Sequence, residues 1–106
     1  MSEKRIPQIE RRIARIKEAL SHLGPMRPGS LSRQYKDRKN KTGAYWQISY
    51  TRQMKSRTEY VREDWVPEIR RQIANHKRFK KLIDQWIDLD IERSKLAMQS
   101  EMPRAK

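Results

Sequence analysis

The chain has 106 residues, enough for one small core and too short for a large enzyme fold. Hydrophobic residues make up 35% and charged residues 37%, so the core is thin and stands to gain from a second copy or a bound partner. Lysine and arginine number 26 against 13 acids, a net charge of +13, which exceeds what solubility requires and points to a polyanionic partner. The absence of cysteine excludes thiolate zinc sites, disulfides and thiol catalysis.

Residues 1–7 lack the apolar stretch of a signal peptide, and no apolar run approaches the ~18 residues of a membrane span. The expectation is a cytoplasmic protein with no membrane partner. The charge is uneven: residues 27–62 carry ten positive and two negative side chains, net +8, whereas residues 84–106 carry four and five.

Ile6, Ile9, Ile13, Ile16, Leu20 and Leu23 recur at alternating spacings of three and four, one apolar seam along a helix. With Pro7 in the first turn and Gly24-Pro25 as a stop, this helix is predicted over 7–23. Its seam fits either the chain's own C-terminal helix or a seam shared between subunits.

Residues 24–43 read as a basic loop, with Gly24-Pro25, Pro28-Gly29 and the run Lys36-Asp37-Arg38-Lys39-Asn40-Lys41. Leu31 and Tyr35, four apart, fit one face of a short helical turn capped by Ser30.

Residues 44–61 read as a two-stranded antiparallel hairpin, because Trp46, Ile48 and Tyr50 alternate with Tyr45, Gln47, Ser49 and Thr51. The connection Arg52-Gln53-Met54 has no glycine or Asn-Gly signal, which leaves two registers. In one, Thr51 meets Lys55 and Trp46 faces Tyr60; in the other, Trp46 meets Val61 and Tyr50 meets Arg57. The first is preferred because it gathers the aromatics inside and sets Gln47, Ser49, Thr51, Lys55 and Arg57 on the outer face.

Glu63-Asp64 and Pro67 mark the start of a long helix predicted over 64–100, either one helix or two with a small bend near 75–78, and a tail at 101–106. Ile69, Ile73 and His76 form one stripe; Phe79, Leu82, Trp86, Leu89 and Leu96 form a second, which Ile83 and Ile87 widen. These stripes support an expected homodimer through helix seams. The fold class is α+β, a single domain of N-terminal helix, basic loop, two-stranded hairpin and long C-terminal helix or helix pair.

A basic loop leading into a β-ribbon is a workable nucleic-acid reader, since a ribbon fits the major groove of duplex DNA. Arg33, Lys36, Arg38, Lys39, Lys41, Arg52 and Lys55 suit phosphates, and Gln47, Ser49, Thr51 and Arg57 suit base edges. Tyr45 is the aromatic best placed to touch a ligand. An RNA or single-strand binder would stack bases on it instead. A small basic adaptor or inhibitor covering an acidic protein, such as a nuclease or recombinase, is the remaining alternative.

No nucleophile–base pair, phosphate loop or nucleotide fingerprint occurs. His22 and His76 stand alone, and Asp84, Asp88, Asp90 and Glu92 read as the ionic face of a helix. No catalytic residue, metal or cofactor is therefore expected.

The order of features resembles a family of small prokaryotic proteins of uncharacterised function associated with mobile elements. The resemblance rests on Gly24-Pro25-Met26, Arg27-Pro28-Gly29-Ser30-Leu31, Tyr35, Gly43-Ala44-Tyr45-Trp46, Ser49-Tyr50, Lys55-Ser56-Arg57, Val61 and the stretch 75–79. It implies a short helix, a Gly-Pro turn, a knuckle, an aromatic hairpin and a long helix. Where relatives carry a cysteine cluster after the Tyr35 position, this chain has residues 36–42 without cysteine, and Ala44 stands where proline is common. The hairpin is also similar to the aromatic, basic ribbon in the arm-binding domains of tyrosine recombinases, a likeness of shape and composition.

Overall fold

The computed structural model describes residues 2–101; of the expected tail, residues 102–106 lie outside the described residues. The elements are α1 (Ser2–Ser21), β1 (Ser30–Asp37), β2 (Thr42–Arg52), β3 (Lys55–Val61), a 3-10 turn (Glu63–Trp65) and α2 (Val66–Glu101). The α+β class is as predicted, but the sheet has three strands in the order β1-β2-β3 rather than two. The chain forms two compact units: α1 with α2 from Phe79 onward, and Gly24–Arg78.

In the first unit the seam of α1 packs on the chain's own α2. Ile9, Ile13, Ile16 and Leu89 are buried together, with Leu20, Leu82, Trp86 and Leu96 around them. The helices run antiparallel: Arg5 grips Glu92 with two hydrogen bonds of 2.7 and 2.9 Å at one end, and Lys17 lies 5.2 Å from the centre of the Trp86 ring toward the other. α1 starts at Ser2 rather than at Pro7, so the proline sits inside the helix. It forfeits one backbone hydrogen bond there, and the Arg5–Glu92 pair fastens that turn to α2. The helix tightens at its end, where His22 and Leu23 donate to the carbonyls of Ala19 and Leu20, and Gly24-Pro25 then stops it.

In the second unit Ile48, Val61, Val66 and Ile69 form the core, joined by Leu31, Trp46 and Ile73. The segment after the Gly-Pro stop is strapped to the first turns of α2: Asn75 Nδ2 donates to the Pro25 carbonyl at 2.8 Å, and the Arg27 N–H to the Gln72 carbonyl at 3.1 Å. Gly29 follows with φ of +127°, and a Cβ there would meet the Ser49 carbonyl at 2.6 Å, so this close approach to β2 requires glycine.

Ser30–Asp37 is a strand, not a helical turn within a loop. Leu31 and Tyr35 are spaced for a strand as well as for a helix, with Arg33 between them where an apolar residue would have shown the alternation. The guanidinium of Arg33 lies 5.8 Å from the centre of the Trp46 ring, which lets a cation occupy the core-side row.

The hairpin adopts the register that was not preferred. Trp46 pairs with Val61, Tyr50 with Arg57 and Arg52 with Lys55. The two-residue connection Gln53-Met54 has φ of 51° and 66°, a turn whose twist matches the strands although neither residue is glycine or asparagine. This register places Val61 on the side of Ile48, Val66 and Ile69. Tyr60 consequently moves to the opposite side and is 69% exposed.

α2 is one uninterrupted helix from Val66, following the 3-10 turn that holds Glu63 and Asp64.

Candidate functional site

β2 is the central strand, and its alternation divides the sheet. Trp46, Ile48 and Tyr50 share the core side; Tyr45, Gln47, Ser49 and Thr51 share the other. Pairing extends the second set sideways: Gln47 lies between Ser32 and Tyr60, Ser49 between Ser30 and Thr58, Tyr45 beside Gln34 and Thr51 beside Ser56. The open face is thus a field of hydroxyls and amides, all neutral except Lys36. A concavity of about 510 Å³ on it is lined by Lys36, Tyr45, Gln47, Thr58, Glu59 and Tyr60.

Cations gather beyond the two ends of this stretch of sheet. At one end the β1–β2 turn presents Lys36, Arg38, Lys39 and Lys41. Asp37 closes that turn, accepting from the backbone N–H groups of Lys39 and Asn40 at 3.1 and 3.2 Å and from Asn40 Nδ2 at 2.9 Å. The hydrogen bonds from Asn40 hold the Asp37 carboxyl below the usual carboxylate range, so the acid inside this basic run acts as a brace.

At the other end β1 stops pairing at Ser30 opposite Ser49, and β2 and β3 run on as a two-stranded arm. Residues 51–60 are all exposed. The arm carries Arg52, Lys55 and Arg57, with Met54 at its tip 96% exposed. With eleven residues in β2, the two cationic ends stand roughly 35 Å apart at about 3.3 Å per residue.

Lys36, Arg38, Lys39, Lys41, Arg52, Lys55 and Arg57 form no ion pair among the described residues. Five other cations of this unit are engaged. Arg62 meets Asp64 at 3.1 Å and Arg71 meets Glu68 at 2.6 Å; Arg33 and Arg70 lie against Trp46. Arg27 donates to Glu59 at 2.9 Å and lies 5.0 Å from the centre of the Tyr50 ring, while the Tyr50 hydroxyl donates to the same carboxylate at 2.6 Å. These donors hold the Glu59 carboxyl below its ordinary range, and the same bond raises the Tyr50 phenol.

Of the residues expected to act, Lys36, Tyr45, Gln47, Ser49 and Thr51 share the open face, and Arg38, Lys39 and Lys41 lie in the adjoining turn. Arg52 is on the arm, opposite Lys55 and on the core side of the sheet. Lys55 and Arg57 are corrected: the register puts them on the core side of the sheet, so Arg57 does not share a face with Gln47. Arg33 is also on that side, against Trp46. Sequence reasoning missed Ser32, Gln34, Thr58 and Tyr60. The alternation of Ser30, Ser32, Gln34 and Lys36 against Leu31, Arg33 and Tyr35 was the available signal for the first two; Thr58 and Tyr60 depend on register.

Among the acids read as an ionic helix face, Glu92 pairs with Arg5, and Asp90 accepts from Arg93 at 2.7 Å and from Trp86 Nε1 at 3.1 Å. Among the described residues no group of three or more His, Cys, Asp or Glu side chains converges as a metal site would require, and no helix is long and apolar enough to cross a membrane.

Residues 6–71 match the family described as "Domain of unknown function (DUF6788)". The chain belongs to this family. No curated protein and no solved structure matches it. The match begins in α1 and ends in α2, so it contains the whole sheet with both cationic ends and stops short of the second half of the long helix.

Proposed function

We propose that the chain binds nucleic acid without catalysis, and that its target is duplex DNA held against the open face of the sheet. The observation that carries the reading is the division of chemistry across that face. Lys36, Arg38, Lys39 and Lys41 stand at one end of it and Arg52, Lys55 and Arg57 on the reverse side of the arm beyond the other, all without ion-pair partners among the described residues, and neutral donors and acceptors fill the stretch between. Phosphates need charge, whereas base edges need uncharged, directional partners. Three strands spaced about 4.8 Å apart span roughly 10 Å between the outer two, within the ~12 Å major groove.

Gln47 and Gln34 are the side chains suited to adenine, with the serine and threonine hydroxyls beside them. Arg57, on the opposite side of the arm, serves a phosphate rather than a base. The resemblance of the aromatic, basic hairpin sequence to recombinase arm-binding domains, one of shape and composition, is the ground on which the proposal extends to the DNA of a mobile element.

Single-stranded nucleic acid is a second reading, favoured by one observation: Tyr45 and Tyr60 flank the concavity on the open face, where rings can stack on unpaired bases. Fluorescence anisotropy with labelled duplex DNA, single-stranded DNA and RNA of equal length, each titrated with salt and an unlabelled competitor, separates the two. Duplex preference supports the proposal, and Gln47→Ala then relaxes sequence preference. A single-strand preference that Tyr60→Ala abolishes replaces it with the second reading. Weak, equal binding of all three overturns both and turns attention to an acidic protein partner.

A further inference from the structure

At 100° per residue, Leu82, Leu89 and Leu96 of α2 point toward α1, and Ile83, Ile87, Ile91 and Met98 fall on the opposite side. That side is bare. Ile87, Ile91 and Met98 are 50%, 49% and 64% exposed, and Ile83, Ile87 and Ile91 line a groove of about 550 Å³. The stripe from Ile83 to Met98 runs about 22 Å along the helix. Two helices joined by one seam make a small core, here Ile9, Ile13, Ile16 and Leu89, and helical hairpins reach a fuller core by pairing into four-helix bundles.

We infer that this face of α2 docks on the same face of a second copy of the chain, antiparallel, with the two-fold axis between Ile87 and Ile91. The occupant follows from charge. Asp84 and Lys95 both flank the stripe on one side, about 60° and 80° from Ile87, with Asp88 farther round at about 100°. Neither Asp84 nor Lys95 is in an ion pair among the described residues.

Antiparallel helices set like flanks against each other. With Ile87 of each copy opposite Ile91 of its partner, Asp84 lies about 7.5 Å from the axis level and Lys95 about 9 Å on the other side. Each Asp84 therefore reaches the Lys95 of the opposing copy, and two such pairs bracket four isoleucines. A parallel pair would set this flank against the one that carries Phe79, Trp86 and Asp90, and would leave both charges unmatched. The outward side of α1, with Arg11, Arg12 and Arg15 exposed, is by contrast cationic and repels its own copy.

This inference is independent of the nucleic-acid reading, and its test needs no ligand. Sedimentation equilibrium of the full chain is expected to show a monomer–dimer equilibrium. Ile87→Glu, at a half-exposed position, should remove the dimer while circular dichroism shows the helices retained. Lys95→Asp should weaken dimerisation by about tenfold, since two surface pairs each worth up to about 1 kcal/mol become like-charge contacts. Combining it with Asp84→Lys should restore the dimer. A monomer at every concentration, a dimer indifferent to Ile87→Glu, or a double charge reversal weaker than the single one would each overturn it.

Discussion

The division between free and engaged cations makes a quantitative claim about salt. If Lys36, Arg38, Lys39, Lys41, Arg52, Lys55 and Arg57 each neutralise one phosphate, the log–log dependence of duplex affinity on salt has a slope of about −6. Raising salt from about 50 to 200 mM would then lower affinity by nearly 10⁴-fold. Replacing Arg38, Lys39 and Lys41 with glutamine removes three phosphate contacts and should bring the slope to roughly −3.6. Asp37 and Asn40 are kept in this variant, so the hydrogen bonds that shape the turn survive.

Arg33 is the internal control, because its guanidinium lies over the Trp46 ring, 5.8 Å from its centre. Arg33→Gln should leave the slope where it was and instead cost about 0.5–1 kcal/mol of stability, the worth of such a contact at an exposed site. Anisotropy titrations at four salt concentrations measure the slopes, and urea unfolding measures the stability. The reasoning is refuted if the triple substitution leaves the slope unchanged, or if Arg33→Gln lowers it as much as any one of the three.

Two further outcomes follow from the hairpin. Gln53 and Met54 occupy a turn that favours Asn-Gly, so Gln53→Asn with Met54→Gly should stabilise the second unit by about 1–2 kcal/mol in urea unfolding; a loss of stability would mean that Arg52 and Lys55 do not pair. The Glu59 carboxyl is held below its ordinary range chiefly by the Tyr50 hydroxyl and then by Arg27. Its stabilisation is therefore present above the pKa of the unfolded chain and is lost as pH falls through the lower folded value. Thermal melts from neutral to acid pH should show a shallower acid limb for Glu59→Gln than for the unsubstituted protein, with Asp37, Glu68 and Glu92 supplying the remainder. Identical limbs would remove Glu59 from the account.

Much of the fold was legible because its signals are local. The three-four spacing of Ile9, Ile13 and Ile16 marks a helix wherever its partner is, Gly24-Pro25 ends it by backbone sterics, and the alternation through Trp46, Ile48 and Tyr50 allows only a strand with one buried face. The cationic stretch at 36–41 and the basic residues around the hairpin tip were equally plain, being composition.

What the sequence left open depended on contacts between distant residues. Arg33 hides β1 from any hydrophobic pattern; it stays exposed at the edge of the sheet, 5.8 Å from the centre of the Trp46 ring on the neighbouring strand. The register of β3 turns on where Val61 goes. It joins Ile48 and the α2 residues Val66 and Ile69, and that burial carries the turn at Gln53-Met54 through two residues with positive φ.

One residue of shift then decides the candidate site. It sends Tyr60 to the open face beside Gln47 and takes Arg57 away from it, because successive side chains on a strand point to opposite sides. Residue types, helix seams and total charge were properties of the sequence; which of these groups share one surface was decided by a core assembled from three strands and a helix.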